Sequence, residues 1–107
     1  MSTDRRRTPR IEILDRLHGH TVAFDLAITV REFSLGGMAV QTAVALKEGA
    51  VHDFLLTLGD GSTVELTGRV MHTRRVQEQE HDPESWVSGV QFIDEDDDAA
   101  EVMEKVR

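Results

Sequence analysis

The sequence predicts a mainly β protein: a small antiparallel β-barrel of about six strands that ends in one C-terminal α-helix. Three observations support this fold class. Short segments alternate apolar and polar residues with the period of a β-strand, glycine-containing turn sequences separate them, and only the end of the chain has apolar residues at helical spacing. The length of 107 residues is typical of one domain with a single, modest core.

The predicted strands are short, and they span residues 10–17, 21–31, 38–42, 54–58, 63–72 and 86–93. The second of them has the clearest pattern, because every second residue from 22 to 30 is apolar. The Asp60-Gly61 pair between the fourth and fifth strands is a strong signal for a β-hairpin. Residues 77–85 are polar and contain Pro83, so we expect a loop there.

The two ends of the chain differ from the strands. Residues 1–9 are polar and charged, and we expect them to form a flexible, arginine-rich N-terminal tail before a barrel domain at residues 10–107. Near the other end, the acidic residues 94–98 favour a helix N-terminus. The apolar residues that follow recur at helical spacing, and they are Ala99, Val102, Met103 and Val106.

The composition argues against several classes of protein. Without cysteine, neither a disulfide framework nor a cysteine-based metal site is expected. No apolar run is long enough to span a membrane and no signal-peptide core is present, so we expect a cytoplasmic protein without membrane insertion. The formal net charge of −8 argues against binding to DNA or RNA. The histidines lack the spacing of a metal site and no catalytic motif is present, so we expect no metal and no enzymatic activity.

Two short segments carry the residues most suited to ligand binding. Arg5-Arg6-Arg7-Thr8-Pro9-Arg10 is a dense cationic segment whose planar guanidinium groups suit phosphates and the faces of flat rings. Glu32-Phe33-Ser34-Leu35-Gly36-Gly37 leads into a predicted turn and offers a carboxylate and a hydroxyl to the edge of a base. A globally acidic chain with one arginine cluster suits a small anion better than a long polyanion.

These two segments, in this order, resemble the motifs of the PilZ domain, the bacterial receptor module for cyclic di-GMP. Arg6 and Arg10 match the family's RxxxR motif. Ser34 and Gly37 match its [D/N]xSxxG motif, but Glu32 stands where the family has Asp or Asn. The second motif therefore matches in its turn residues and departs at its carboxylate.

The resemblance continues downstream of the two motifs. Gly68-Arg69-Val70 is similar to a G-x-V strand of the family, and Ser88-Gly89-Val90-Gln91-Phe92 is similar to its last strand. The similarity thus covers residues 5–106. It implies the same architecture that the strand pattern predicts, a small barrel with a C-terminal helix.

The resemblance also implies that the ligand is cyclic di-GMP and that no other cofactor is needed. The implied ligand-binding residues are Arg5, Arg6, Arg7, Arg10, Glu32, Ser34, Gly36, Gly37 and His72. Glu32 keeps a carboxylate that can accept two hydrogen bonds from guanine, but its extra methylene moves that group by roughly 1.5 Å. We place His72 on the same strand face as Val70, and we regard it as the candidate for stacking on a base.

The implied mechanism is signalling through a ligand-dependent surface. The arginine-rich tail would become ordered over the ligand and change what a protein partner in motility, pilus or exopolysaccharide machinery contacts. One alternative is a PilZ-like interaction module that binds proteins and no nucleotide, and Glu32 keeps this alternative open. A barrel for single-stranded nucleic acid is disfavoured, because four Phe, one Trp and no Tyr make a poor stacking platform.

Overall fold

Six antiparallel strands form a closed barrel and one helix follows them, which confirms the predicted fold class. The computed structural model describes residues 11–77, 83–93 and 97–106. The elements are β1 (Ile11–Thr21), β2 (Ala27–Phe33), β3 (Gly37–Thr42), β4 (Val51–Thr57), β5 (Thr63–Val76), β6 (Ser85–Phe92) and α1 (Asp97–Val106). The order around the barrel is β1-β2-β3-β6-β5-β4, and β4 closes it by pairing with β1. The predicted tail at residues 1–9 and Arg10 lie outside the described residues.

The barrel interior is the hydrophobic core, and α1 packs against it. Alternate strand residues point inward, and the most deeply buried of them include Val30, Val40, Phe54 and Leu56. The helix contributes its apolar stripe to the same core, as its spacing predicts, through Ala99, Val102 and Met103. Within the described ranges, no helix is long and apolar enough to cross a lipid bilayer.

The prediction of one continuous strand over residues 21–31 is wrong, because the chain turns within that segment. β1 continues to Thr21, and β2 begins only after the turn. The backbone N–H of Thr21 donates to the carbonyl of Leu26 (2.9 Å), and the N–H of Leu26 donates to the Thr21 hydroxyl (3.1 Å). Asp25 adopts the left-handed conformation with a φ of 51°. The alternation of apolar residues continues through this turn, so the sequence pattern does not reveal the turn. One of these apolar residues, Phe24, is 72% exposed.

A β-bulge in β2 changes which residues face the core. Val30 and Glu32 pair with successive residues of β3, so Arg31 between them is the extra residue. The bulge shifts the in–out alternation by one position. Val30 and Phe33 therefore both point into the core, 1% and 0% exposed. Arg31 and Glu32 both point outward.

A second bulge, in β5, lies at a corresponding level on the other side of β3 and β6. Val70 and His72 pair with successive residues of β6, so Met71 is the extra residue. Val70 is buried in the core, whereas His72 is exposed on the outer face. The prediction that His72 shares a face with Val70 is therefore wrong, because strict alternation does not continue through a bulge. Beyond the bulge, Arg74 also points outward.

Candidate functional site

A shallow trough runs along the outer face of the barrel over β3 and β6. At one level, strand pairing aligns Glu32 of β2, Ala39 of β3, Gly89 of β6 and His72 of β5. Directly paired residues point to the same face of a sheet, so this row faces outward. Its two middle residues are small and its two outer residues are long. The trough therefore has a low floor over β3 and β6 and a wall on each side.

The trough contains a depression of about 200 Å³ with an apolar floor and a charged rim. The residues that line it are Ala39, Val76, Val87, Arg31, Glu32 and Arg74. On the β2 side, the Arg31 guanidinium donates a hydrogen bond to Oε1 of Gln41 (3.2 Å). Sites for drug-sized molecules usually enclose about 300–1,000 Å³. The depression is thus the size of one part of such a ligand, for example a single base.

Sequence reasoning missed Arg31 and Arg74 as residues of this site. Arg31 is the extra residue of the bulge in β2, and Arg74 follows the bulge in β5, so both face the depression. A bulge depends on pairing with neighbouring strands rather than on local sequence. The sequence contains one signal of the bulge in β2. Val30 and Phe33 are both apolar and three positions apart, which uninterrupted alternation cannot place on one face.

The predicted turn after β2 is present, and Ser34 builds it. The Ser34 hydroxyl donates to the carbonyl of Gly37 (3.1 Å) and accepts from the N–H groups of Gly36 and Gly37 (3.2 Å each). Gly37 approaches β6 so closely that a β-carbon would collide with the carbonyl of Val90. Gly36, by contrast, has open space where a side chain would be. Ser34 and Gly37 therefore shape the turn, and their contact with a ligand stays a prediction.

The predicted arginine cluster directly precedes β1 in the sequence, and β1 begins beside the trough. Arg5, Arg6, Arg7 and Arg10 lie outside the described residues. The first residues of β1, Ile11 and Glu12, pair with the end of β2 beside Glu32. The described chain therefore begins next to the wall of the trough that carries the carboxylate.

His72 belongs to the opposite wall. A β-carbon at Gly89 would meet the imidazole of His72, so the ring leans over β6 toward the floor of the trough. An exposed flat ring at this position is suited to stacking against a base. That role stays a prediction.

A second, wider cleft of about 530 Å³ lies on the other side of Gln41. Its polar lining includes His18, Thr29 and Glu84, and no arginine from the described part of the chain lines it. It is therefore less suited to an anionic ligand than the trough. Among the described residues, no group of three His, Asp or Glu side chains is arranged to hold a metal ion.

Comparison with known proteins finds a matching family model and several similar solved structures. The sequence model of the PilZ domain matches residues 4–106. The structure of the PilZ domain of YcgR from Escherichia coli with c-di-GMP has a TM-score of 0.76 at 16% sequence identity, and the match covers 95% of this chain and 88% of that chain. MrkH, described as a c-di-GMP-dependent transcription regulatory factor, has a TM-score of 0.73 at 18% identity, covering 94% and 48%.

A longer structure of Escherichia coli YcgR in complex with c-di-GMP has a TM-score of 0.70 at 16% identity, covering 94% of this chain and 43% of that chain. The chain thus spans less than half of this structure and of MrkH. At these identities, the likeness to solved structures establishes the fold. No significant match was found among curated proteins.

Proposed function

Because the chain belongs to the PilZ domain family, we propose that it is a receptor for cyclic di-GMP and binds this ligand in the trough. The position of Glu32 carries the proposal. Its carboxylate stands on the rim of the depression, just before the Ser34 turn and beside the start of β1. A carboxylate, an apolar floor and an adjoining arginine-rich segment suit the edge, the face and the phosphates of a guanine dinucleotide.

In this proposal Glu32 recognises guanine. The Watson–Crick edge of guanine presents adjacent N–H donors, and one carboxylate can accept from both. Ser34 and Gly37 hold the turn that fixes the end of β2, and the open space at Gly36 lets the ligand approach the backbone. His72 contributes a flat surface on the far wall. The c-di-GMP in the YcgR structures supports the choice of ligand.

The arginines before β1 supply the phosphate contacts in this proposal. Guanidinium groups form charge-assisted hydrogen bonds with phosphate, and Arg10 directly precedes the strand that pairs beside Glu32. The depression is too small to enclose a whole dinucleotide, so the rest of the ligand must contact adjoining parts of the chain. Binding then orders the arginine-rich tail and changes the surface that a partner protein contacts. A partner in motility, pilus or exopolysaccharide machinery stays a prediction.

We expect a receptor rather than an enzyme, because the sequence contains no recognisable catalytic motif. The second candidate is an interaction module of the same fold that binds no nucleotide. Glu32 is the observation that favours it, because the family motif has the shorter Asp or Asn there. The two candidates differ in one measurable property, which is affinity for cyclic di-GMP.

Isothermal titration calorimetry of the whole chain tests the proposal. We expect saturable binding of cyclic di-GMP, and much weaker binding of linear pGpG and of GMP, because only the cyclic ligand presents both phosphates in a fixed arrangement. If cyclic di-GMP gives neither heat nor a thermal shift at high micromolar concentration, the receptor proposal fails and the interaction module replaces it.

A further inference from the structure

We propose that the depression holds one guanine base of the ligand and that Arg74 reads the O6/N7 edge of that base. This inference rests on the proposed function and adds a specificity-determining residue to it. Neither the arginine cluster nor the turn motif in the sequence includes Arg74. Its place in the site follows from the bulge in β5.

The first support is where Arg74 stands. It pairs with Val87 of β6 on the outer face and lines the depression from the β5 side. Glu32 lines the same depression from the β2 side. A flat group lying on the floor between them would have a carboxylate at one edge and a guanidinium at another.

The second support is that Arg74 is available to a ligand. It makes no hydrogen bond or ion pair within the described part of the chain, whereas its two counterparts are engaged. Arg31, on the opposite rim, donates to Gln41 at 3.2 Å. Arg75, the next residue, forms an ion pair with Glu84 at 3.0 Å and does not line the depression.

The third support is chemical complementarity to guanine. Guanine presents donors on its Watson–Crick edge, which suit Glu32, and two acceptors at O6 and N7, which suit a forked guanidinium. Adenine has an N6 amino donor in place of O6, so it would oppose Arg74. A phosphate in the depression would lie near the Glu32 carboxylate, and this like charge disfavours it. The depression therefore matches guanine better than adenine or phosphate.

The test combines a variant with a modified ligand in a double-mutant cycle. Cyclic di-GMP and its 7-deazaguanine analogue, which has C–H in place of N7, are titrated into the wild type, Arg74→Ala and Arg75→Ala. The control Arg75→Ala removes the same charge from the same strand but lies outside the depression. Circular dichroism melts establish that both variants are folded, as expected for exposed side chains.

We expect Arg74→Ala to weaken binding of cyclic di-GMP by about tenfold or more, and Arg75→Ala to leave it within about twofold. The analogue should bind the wild type several-fold more weakly than cyclic di-GMP, and Arg74→Ala should not distinguish the two ligands.

If Arg74→Ala weakens both ligands by the same factor, Arg74 contacts a phosphate and the base assignment is overturned. If wild type and Arg74→Ala bind cyclic di-GMP equally, this inference fails and the receptor proposal stands. If the wild type does not bind, both fail.

Discussion

Gly36 and Gly37, adjacent residues in the turn after β2, have different surroundings. No atom lies within 4 Å of a β-carbon built at Gly36, whereas one at Gly37 would collide with the Val90 carbonyl. We expect Gly37→Ala to push β3 away from β6 and to lower the free energy of unfolding by about 1–3 kcal/mol. Gly36→Ala should change it by less than about 0.5 kcal/mol. Urea denaturation of the two variants measures the difference.

The two glycine variants also separate an effect on the stability of the fold from an effect on ligand binding. If the ligand approaches the backbone at Gly36, Gly36→Ala weakens cyclic di-GMP binding while its urea midpoint stays that of the wild type. An equal loss of stability in both variants would contradict the close approach of β3 to β6 at Gly37.

Glu32 is the residue at which this chain departs from the family motif. We expect Glu32→Ala to weaken binding of cyclic di-GMP about tenfold or more, because a charge-assisted hydrogen bond to guanine is lost. Glu32→Asp should tighten it by about 0.5–1 kcal/mol, since aspartate has one rotor fewer to immobilise. Calorimetry measures both. Weaker binding by Glu32→Asp would show a pocket adapted to the longer side chain, and unchanged affinity in both variants would remove Glu32 from the site.

At the scale of elements, α1 is tied to the turn between β4 and β5 by one ion pair. The Lys105 ammonium donates to Asp60 Oδ2 at 2.8 Å, and the N–H and hydroxyl of Ser62 also donate to Asp60. The hydrogen bond from Lys105, with those from Ser62, holds the pKa of Asp60 well below its usual range. The bond to Asp60 in turn raises the pKa of Lys105. Both groups are partly exposed, so the pair stabilises the helix only modestly.

This pair predicts a pH-dependent effect of Asp60→Asn. Because the pKa of Asp60 is lowered in the folded state, its contribution is complete above its ordinary value of about 3.8 and is lost as the pH falls below it. We expect a small decrease in Tm at pH 7 that shrinks only as the pH falls below about 3.8. Glu104→Gln, which removes a carboxylate from the exposed side of the same helix, is the control. A decrease independent of pH would assign the effect to the turn instead of the ion pair.

How far the sequence predicts each element depends on whether its signal is local. The hairpin around Asp60-Gly61, the Ser34 turn and the apolar stripe of α1 are encoded by neighbouring residues, and all are present. The boundary between β1 and β2 was missed because an apolar pattern continues through their turn. The outward positions of Arg31 and Arg74 depend on two bulges, which are set by pairing with distant strands. Glu32, Ser34 and His72 could therefore be proposed from the sequence, whereas the outward positions of Arg31 and Arg74 could not.

At the scale of the whole molecule, the sequence places a cluster of cations in the segment that directly precedes β1. The chain carries a net charge of −8, yet four arginines stand within residues 5–10, directly before the strand that begins beside Glu32. Long-range attraction of an anion by the whole molecule is therefore not expected. In the proposed function, recognition therefore depends on short-range contacts from the trough and from the arginine-rich segment.

This arrangement predicts that ligand binding protects the tail. A polar segment without apolar anchors does not offset its own ordering entropy, but phosphate contacts can. We expect the amides of residues 2–8 to exchange faster without cyclic di-GMP than with it, while the buried strand β3 changes little. Hydrogen exchange with mass spectrometry measures both segments in one experiment. Equal exchange of the tail in both states would contradict signalling by tail ordering, even if the ligand binds.

NMR titration tests most directly whether cyclic di-GMP binds in the trough. Amide shifts of the ¹⁵N-labelled chain report the location of a ligand independently of its affinity. We predict that saturating cyclic di-GMP shifts the amides of Glu32, Ala39 and Gly89, and that the shifts extend to Arg74. Little change is expected at His18 and Ala43, which both line the second cleft. Shifts centred on the second cleft, or no shifts at all, would contradict the account.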